Sequence, residues 1–543
     1  MNFSTSKCFP LQNSLSFVNK LFLTIVFLYC SNTFSQNYFN NVYGTIDNES
    51  TEDLDFTNKK TIIASGQKAF PPQINTFSGY LIHTDSAGNI IWANNYTCGP
   101  SMFFRSVVAT SDGGFAVAGN IYTSPGSTDL LVLKTDSAGN VLWSNTYGTP
   151  GTKEDSRKII QTSDGGYIIL GGIDGGLFGN FDLYVIKIDG FGNPQWTRSY
   201  GGNAVEIGFG IKEIPGSGYI INGLTTSFGN NSEIYLVRIN LNGNVLWSRV
   251  YGETGNDSGA GLAVMTDGSF LVAAQTSNYS PANINKLNLL KIRSNGDTVW
   301  TKAFYHPLSQ SGCGFAVWSI NSFSNNSYLI SSYYNTSPPM YFGHWMKVDS
   351  LGNPTWGRTF TTGDAFYNVK EFPDKSIVGI ASTSFFGGPG GPDSYILKTD
   401  SNGMVPCIQT VDIPLPAGSK PKSNLVTTSD APYPGITPTV VTVFTDSSRL
   451  VKSCSPLNIK KSNFEHSLVV TPNPSNGIIN INSDSNIAYL RIYNAFGELI
   501  HEIKTNNPYS INIDITNNSD GIYFVEIFTN TKIIRKKIIK IGS

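Results

Sequence analysis

Apolar and polar residues alternate in short runs through most of this chain, and clusters of Asp, Asn and Gly separate the runs. Residues 105–147 show the pattern clearly. Four runs, Arg105 to Thr110, Phe115 to Tyr122, Asp129 to Thr135 and Val141 to Tyr147, are rich in Val, Leu, Ile and aromatic residues. Ser111-Asp-Gly-Gly and Asp136-Ser-Ala-Gly-Asn lie between them. Short runs rich in β-branched and aromatic residues predict strands, and the Asp/Gly clusters predict hairpin turns. Glycine takes positive φ without steric cost, and Asp bonds its own nearby backbone. No long stretch has a period of 3.6, so helix is expected to be nearly absent.

The four-run unit recurs. Its marker is a glycine followed four residues later by tryptophan: Gly88/Trp92, Gly139/Trp143, Gly192/Trp196, Gly243/Trp247, Gly296/Trp300 and Gly352/Trp356. Gly403 is a seventh marker, with Cys407 in the tryptophan position. Successive glycines are 51, 53, 51, 53, 56 and 51 residues apart (139 minus 88 for the first). A four-stranded antiparallel unit copied at this period predicts a seven-bladed β-propeller, which removes exposed sheet edges by closing on itself. The last strand of the seventh unit is a poor copy, because Pro406 cannot donate to a ladder. The segment Asn37 to Gly44 resembles the fourth run, Trp143 to Gly148. The N-terminal segment is therefore expected to complete the seventh blade.

Composition narrows the setting. Charged residues make up 14%, 37 basic against 38 acidic, for a net charge of −1. Capture of nucleic acid needs a basic field, and none is present. Lys7 and Lys20 precede an apolar run at 21–29, and Thr33-Phe34-Ser35 supplies small residues for cleavage between Ser35 and Gln36. This predicts an export signal at 1–35. Bulky Tyr29 before Cys30 argues against a lipid anchor. Cys98, Cys313, Cys407 and Cys454 remain after cleavage. Cys407 and Cys454 flank the segment after the repeats and are a possible disulfide.

The expected organisation is a signal at 1–35, the all-β propeller at 36–407, a Pro/Ser/Thr-rich linker at 408–465 and a small C-terminal β-sandwich at 466–543. In that last segment Thr471-Pro472-Asn473-Pro474-Ser-Asn-Gly477 opens a series of motifs. Leu490 to Ile500, with Tyr493 and Gly497, is the second block, and Ser519 to Glu526, with Gly521 and Tyr523, is the third. A basic ending, Lys532 to Lys540, is the fourth. Together they resemble the type A C-terminal sorting domain of the type IX secretion system. The resemblance implies export across the outer membrane of a Gram-negative bacterium, recognition by the secretion machinery, and removal by a surface sortase. The propeller repeats are similar to those preceding such domains in bacterial surface proteins, without an assigned ligand.

Candidate chemistry is sparse. Asp85, Asp136, Asp189, Asp349 and Asp400 recur three residues before the marker glycine, but Asn240 and Arg293 take the same place. A turn tolerates Arg and a calcium ligand does not, so these are turn formers. Asp47, Glu49, Glu52, Asp53 and Asp55 lack the spacing of a calcium loop and are expected to form a solvated loop. Gly387 to Pro392 lacks the Lys-Ser/Thr and helix of a phosphate cradle. Among the five histidines no pair has metal spacing. The repeated tryptophans are expected in the blade core. Asp155, Glu206 and Asp257, at the starts of first strands, look like repeat members rather than an acid/base pair. No catalytic residue, metal ligand or cofactor is identified, and the binding residues are unassigned.

These observations predict a secreted or cell-surface, non-enzymatic binding protein for an extracellular glycan or protein. The alternative is a secreted glycoside hydrolase or polysaccharide lyase on a propeller scaffold, which needs an acid/base pair at the ring axis.

Overall fold

The structure is a computed structural model. It describes residues 38–405 and 469–540 apart from short connecting segments, and between 409 and 452 the backbone of six strands. The chain divides into two compact units, Met1–Pro456 and Leu457–Ser543.

Every element named in the first unit is a strand. Seven antiparallel sheets follow one another. Blade 1 is Asn48–Phe56, Ile62–Ala69, Phe77–Thr84 and Ile90–Thr97, and blade 2 is Met102–Ala109, Phe115–Ser124, Ser127–Thr135 and Val141–Gly148. Blade 3 is Lys153–Gln161, Tyr167–Asp174, Phe181–Ile188 and Pro194–Tyr200, and blade 4 is Glu206–Ile214, Gly218–Thr225, Glu233–Ile239 and Val245–Tyr251. Blade 5 is Asp257–Val264, Phe270–Thr276, Lys286–Ile292 and Thr298–Tyr305, and blade 6 is Phe315–Phe323, Ser327–Asn335, Tyr341–Val348 and Pro354–Phe360. Blade 7 has Phe366–Glu371, Ile377–Thr383 and Asp393–Thr399, completed by the N-terminal strand Phe39–Gly44. Val42 lies opposite Tyr395 in that pairing. The ring is closed through a core shared by blades 7 and 1, with Tyr43, Val378, Ile380 and Ile396 packed on Leu54, Ile62 and Tyr80.

The marker glycine and its tryptophan act between neighbouring blades. Gly192 has φ +86°, and a Cβ there would come within 2.6 Å of Asn145 Nδ2 and 2.9 Å of the Trp143 ring in the preceding blade. Only glycine provides both the turn conformation and this close approach. The carbonyl of Gly192 accepts a 2.6 Å bond from Tyr147 Oη. Tyr43–Gly88, Tyr96–Gly139, Tyr200–Gly243 and Tyr251–Gly296 repeat that bond at 2.7–2.8 Å. Trp196 Nε1 donates to the Leu241 carbonyl of the next blade. The tryptophans are thus packed at blade interfaces, mostly half-buried, rather than at blade centres. The preceding Asp closes the turn as its chemistry predicts: Asp189 Oδ1 accepts from the amides of Phe191 and Asn193. Asn240 does the same for Asn242 and Asn244.

The 4/5 interface places one carboxylate in an unusual setting. Glu233 is 8% exposed. Its Oε2 and the Asp257 Oδ2 both lie within 2.9 Å of the point a Gly252 Cβ would occupy. Burial, and then the Asp257 charge, push the Glu233 carboxyl up to about 7.

The structure differs from the expected linker at 408–465. Six short strands there each add a fifth strand to a blade: Gln409–Val411 to blade 6, Leu415–Gly418 to blade 5, Asn424–Leu425 to blade 4, Gly435–Pro438 to blade 2, Thr442–Thr445 to blade 1 and Arg449–Lys452 to blade 7. The segment runs round the outside of the ring against the order of the blades. Blade 3 keeps four strands among the described residues. Proline is tolerated here because these are edge strands, whose outward N–H groups need no partner.

The second unit has a three-stranded sheet (Val469–Thr471, Ile478–Asn482, Ser510–Asp514) and a four-stranded sheet (Leu499–Lys504, Ile487–Asn494, Gly521–Thr529, Ile533–Lys540). Ile479, Ile481, Leu490, Ile492, Val525 and Ile527 fill its core. The last strand is an edge, and its exposed Lys536 suits one that must not pair further.

Candidate functional site at the ring axis

The innermost strands converge on the axis, and each carries a β-bulge. The bulged residues are Glu52, Arg105, Arg157, Phe209, Ala260, Trp318 and Tyr367 in blades 1 to 7. A bulge leaves its extra residue out of the ladder and re-aims the side chain. All seven line one cavity of about 390 Å³. In blades 4 and 5 glycines flank the bulged residue on both sides, where neighbouring strands crowd the axis. A Cβ on Gly261, for example, would meet Ile320 N at 2.5 Å.

The wall has two halves. Blades 4 to 7 contribute a largely apolar half, with Lys212 of blade 4 its one charged lining residue among those described, and Trp318 there remains 42% exposed. Tyr367 meets the Trp318 ring edge-on at 5.0 Å, and Tyr333 lies 6.4 Å from it. Blades 1 to 3 contribute charge. Arg105 Nη1 donates to both Glu52 oxygens at 2.6 and 2.8 Å, and Arg157 meets Asp155 at 2.8 Å.

Asp53 is 2% exposed and fully engaged. It accepts from Lys158 Nζ at 2.6 Å, Ser106 Oγ at 2.5 Å and Asn368 Nδ2 at 2.6 Å. Burial alone would raise its carboxyl, but the Lys158 and Lys370 charges and these bonds hold it below the usual carboxylate range. Asp53 is therefore ionised at physiological pH and is not a proton donor there. Lys370 pairs with Asp55 at 3.0 Å.

Lys212, half-buried on blade 4, also lines the cavity. Burial, then the charges of Lys370 and Lys158, lower its ammonium to about 8, with Asp53 and Asp55 opposing.

The acidic cluster is corrected here. Glu49, Glu52, Asp53 and Asp55 lie on the innermost strand of blade 1, not in a solvated loop, and only Asp47 precedes that strand. Asp53 and Asp55 neutralise lysines from blades 3 and 7. Glu49 binds Lys68 at 2.8 Å. Glu206 is absorbed by Thr225 and Ser227 hydroxyls, and Asp257 accepts from Asn278. Among the described residues no group of three or more His, Cys, Asp or Glu is placed to hold a metal ion. The sequence signal for the cavity was variation at one strand position within otherwise regular repeats. Trp318 falls outside the Gly/Trp pattern for this reason.

Cys98 is a half-buried free thiol. Cys407 and Cys454 lie outside the described residues, as do Ser35, Gln36, Pro472, Asn473, Pro474 and Gly497. Gly477 has φ +110°, and a Cβ there would meet the Thr516 backbone at 2.7 Å. Gly521 starts the strand carrying Tyr523, whose buried hydroxyl donates to the Ser519 carbonyl at 2.5 Å. Tyr493 Oη bonds Glu526 at 3.2 Å.

The architecture is that of a seven-bladed β-propeller followed by a small β-sandwich. Residues 469–541 match the secretion system C-terminal sorting domain family, so the second unit is a type IX sorting domain. The chain is accordingly cargo of that system, secreted or held at the cell surface after contact with its machinery. No curated protein matches the chain. Among solved structures, it is similar to the polysaccharide lyase Uly1 (8% identity, 68% of this chain and 94% of that one, TM-score 0.44). It is also similar to an α-L-arabinanase of Penicillium chrysogenum complexed with arabinobiose (8%, 55% and 93%, TM-score 0.39). A protein of unknown function from Bacteroides caccae is a third (13%, 59% and 93%, TM-score 0.34).

Proposed function

We propose that this is a non-enzymatic binding protein of the cell exterior that takes an extracellular ligand, a glycan or a protein segment, into the cavity at the ring axis. Residues 1–35 direct export and are cleaved between Ser35 and Gln36. The type IX machinery then carries the chain across a Gram-negative outer membrane, and a sortase removes the tail. Cys407 and Cys454 form a disulfide in that oxidising setting. The observation that carries the binding reading is the division of the bulge ring, with an exposed Trp318 facing charged residues of blades 1 to 3. Pockets that bind ligands combine an apolar wall with a few placed polar groups in this way. The secreted protein, screened on an extracellular-glycan array, should bind a restricted set, and Trp318→Ala should abolish that binding while leaving the melting curve in place. Binding unaffected by Trp318→Ala would remove the cavity from the account.

A second reading, a polysaccharide lyase, has one observation in its favour. An amine that titrates near pH 8 is suited to abstract a proton, and Lys212 faces the cavity. Release of unsaturated sugar ends from a polysaccharide, lost in Lys212→Met, would establish it. Glycoside hydrolysis is less well served, because Glu52 and Asp53 are both tied to cations.

A further inference from the structure

Around the axis the charges pair one to one: Arg105 with Glu52, Arg157 with Asp155, Lys158 with Asp53, and Lys370 with Asp55. Lys212 is left over. Among the described residues its ammonium has neither an ion-pair partner nor a hydrogen bond. A half-buried ammonium with no direct partner is unfavourable even with Asp53 and Asp55 acting on it from a distance, and an anionic ligand in the cavity would stabilise it. The same excess of positive charge opposes a cationic ligand, although the aromatic half alone would suit one. Trp318, two blades further round the same cavity, keeps an exposed indole that Tyr367 meets edge-on. A flat indole bordered by polar groups complements the C–H face of a sugar ring, whose hydroxyls remain free to bond at its rim. The cavity, about 390 Å³, has the size of sites for small ligands, roughly 300–1,000 Å³.

We propose that the ligand of this cavity is an anionic saccharide, a sugar bearing a carboxylate or a sulfate ester, with its ring on Trp318 and its anion on Lys212. The proposal rests on the binding reading above and specifies the ligand for the same cavity. Arg157, whose guanidinium shares only part of its donors with Asp155, lies on the same wall as a second contact for the anion.

The test is titration calorimetry of the secreted full chain against four probes: a neutral oligosaccharide, a uronate oligosaccharide, a sulfated oligosaccharide and an acidic peptide. One or both anionic saccharides should bind, weakening with salt, and the two arms separate carboxylate from sulfate. Lys212→Met should lose about tenfold or more in affinity, the scale of a charge-assisted bond, and should melt no lower than the parent, because a half-buried ammonium with no direct partner has been removed. Neutral and anionic sugars bound equally, with Lys212→Met unchanged, would overturn the proposal and leave the binding reading standing. Binding of the acidic peptide alone would also overturn it. If no probe and no array glycan or protein bound, the binding reading itself would fail.

Discussion

Replacing Tyr43 by alanine tests whether the N-terminal strand closes the ring. Tyr43 is fully buried, and its hydroxyl donates to the Gly88 carbonyl at 2.7 Å. Loss of a buried aromatic side chain costs about 3–5 kcal/mol, and the lost hydrogen bond adds about 1 kcal/mol. Asn41 Nδ2 also donates to Gly88 O at 3.1 Å, which keeps the carbonyl partnered and holds the second term low. Tyr43→Ala should therefore lose roughly 4–6 kcal/mol, and Tyr43→Phe about 1 kcal/mol. Tyr147 provides the internal standard, since it makes the same bond to Gly192 from the middle of the chain. The assay is urea unfolding followed by circular dichroism, comparing midpoints at equal slope. Tyr43→Ala should match Tyr147→Ala. If it shifted the midpoint by less than a quarter as much, the N-terminal strand would be a peripheral addition and the ring would be closed by other means.

Three further outcomes are expected. Glu233 titrates near 7 in the fold against 4.5 in the unfolded chain, so the native state binds more protons between those values and stability falls as pH rises through that window, by up to about 3 kcal/mol; Glu233→Gln should raise the urea midpoint at pH 8 and leave it nearly unchanged at pH 4. Gly192→Ala should cost about 3 kcal/mol, from left-handed backbone strain and the forced displacement of Asn145 and Trp143, measured by the same unfolding curves; a loss under 1 kcal/mol would contradict the close approach. Replacing residues 409–452 with a flexible linker should leave a folded ring with bare outer edges that self-associates on size exclusion, whereas a clean monomer would show that the edges need no cover.

Features repeated within each unit were legible in the sequence. The marker glycine, its tryptophan and the turn Asp recur because each blade solves the same turn and the same contact with its neighbour. The closing strand was legible because Phe39 to Gly44 copies Trp143 to Gly148 closely enough to show its place. The axial site was not, because each blade supplies one bulged residue and the positions differ by design of the repeat, Glu52 here and Trp318 there. Nor could the charge on Glu52 to Asp55 be placed, since the counter-ions of Asp53 and Asp55 are 105 and 315 residues away. The outer strands between 409 and 452 are two to four residues long and two of them carry a proline, too little for a period to appear.

The outer segment also decides how the ring would meet a pull from its C-terminal side. Tension entering at Lys452 falls first on Arg449–Lys452 against Phe39–Gly44, then on blades 1, 2, 4, 5 and 6 in turn. Each short attachment yields separately, so a tethered molecule in flow would pay out slack in small steps before any blade lost its interior.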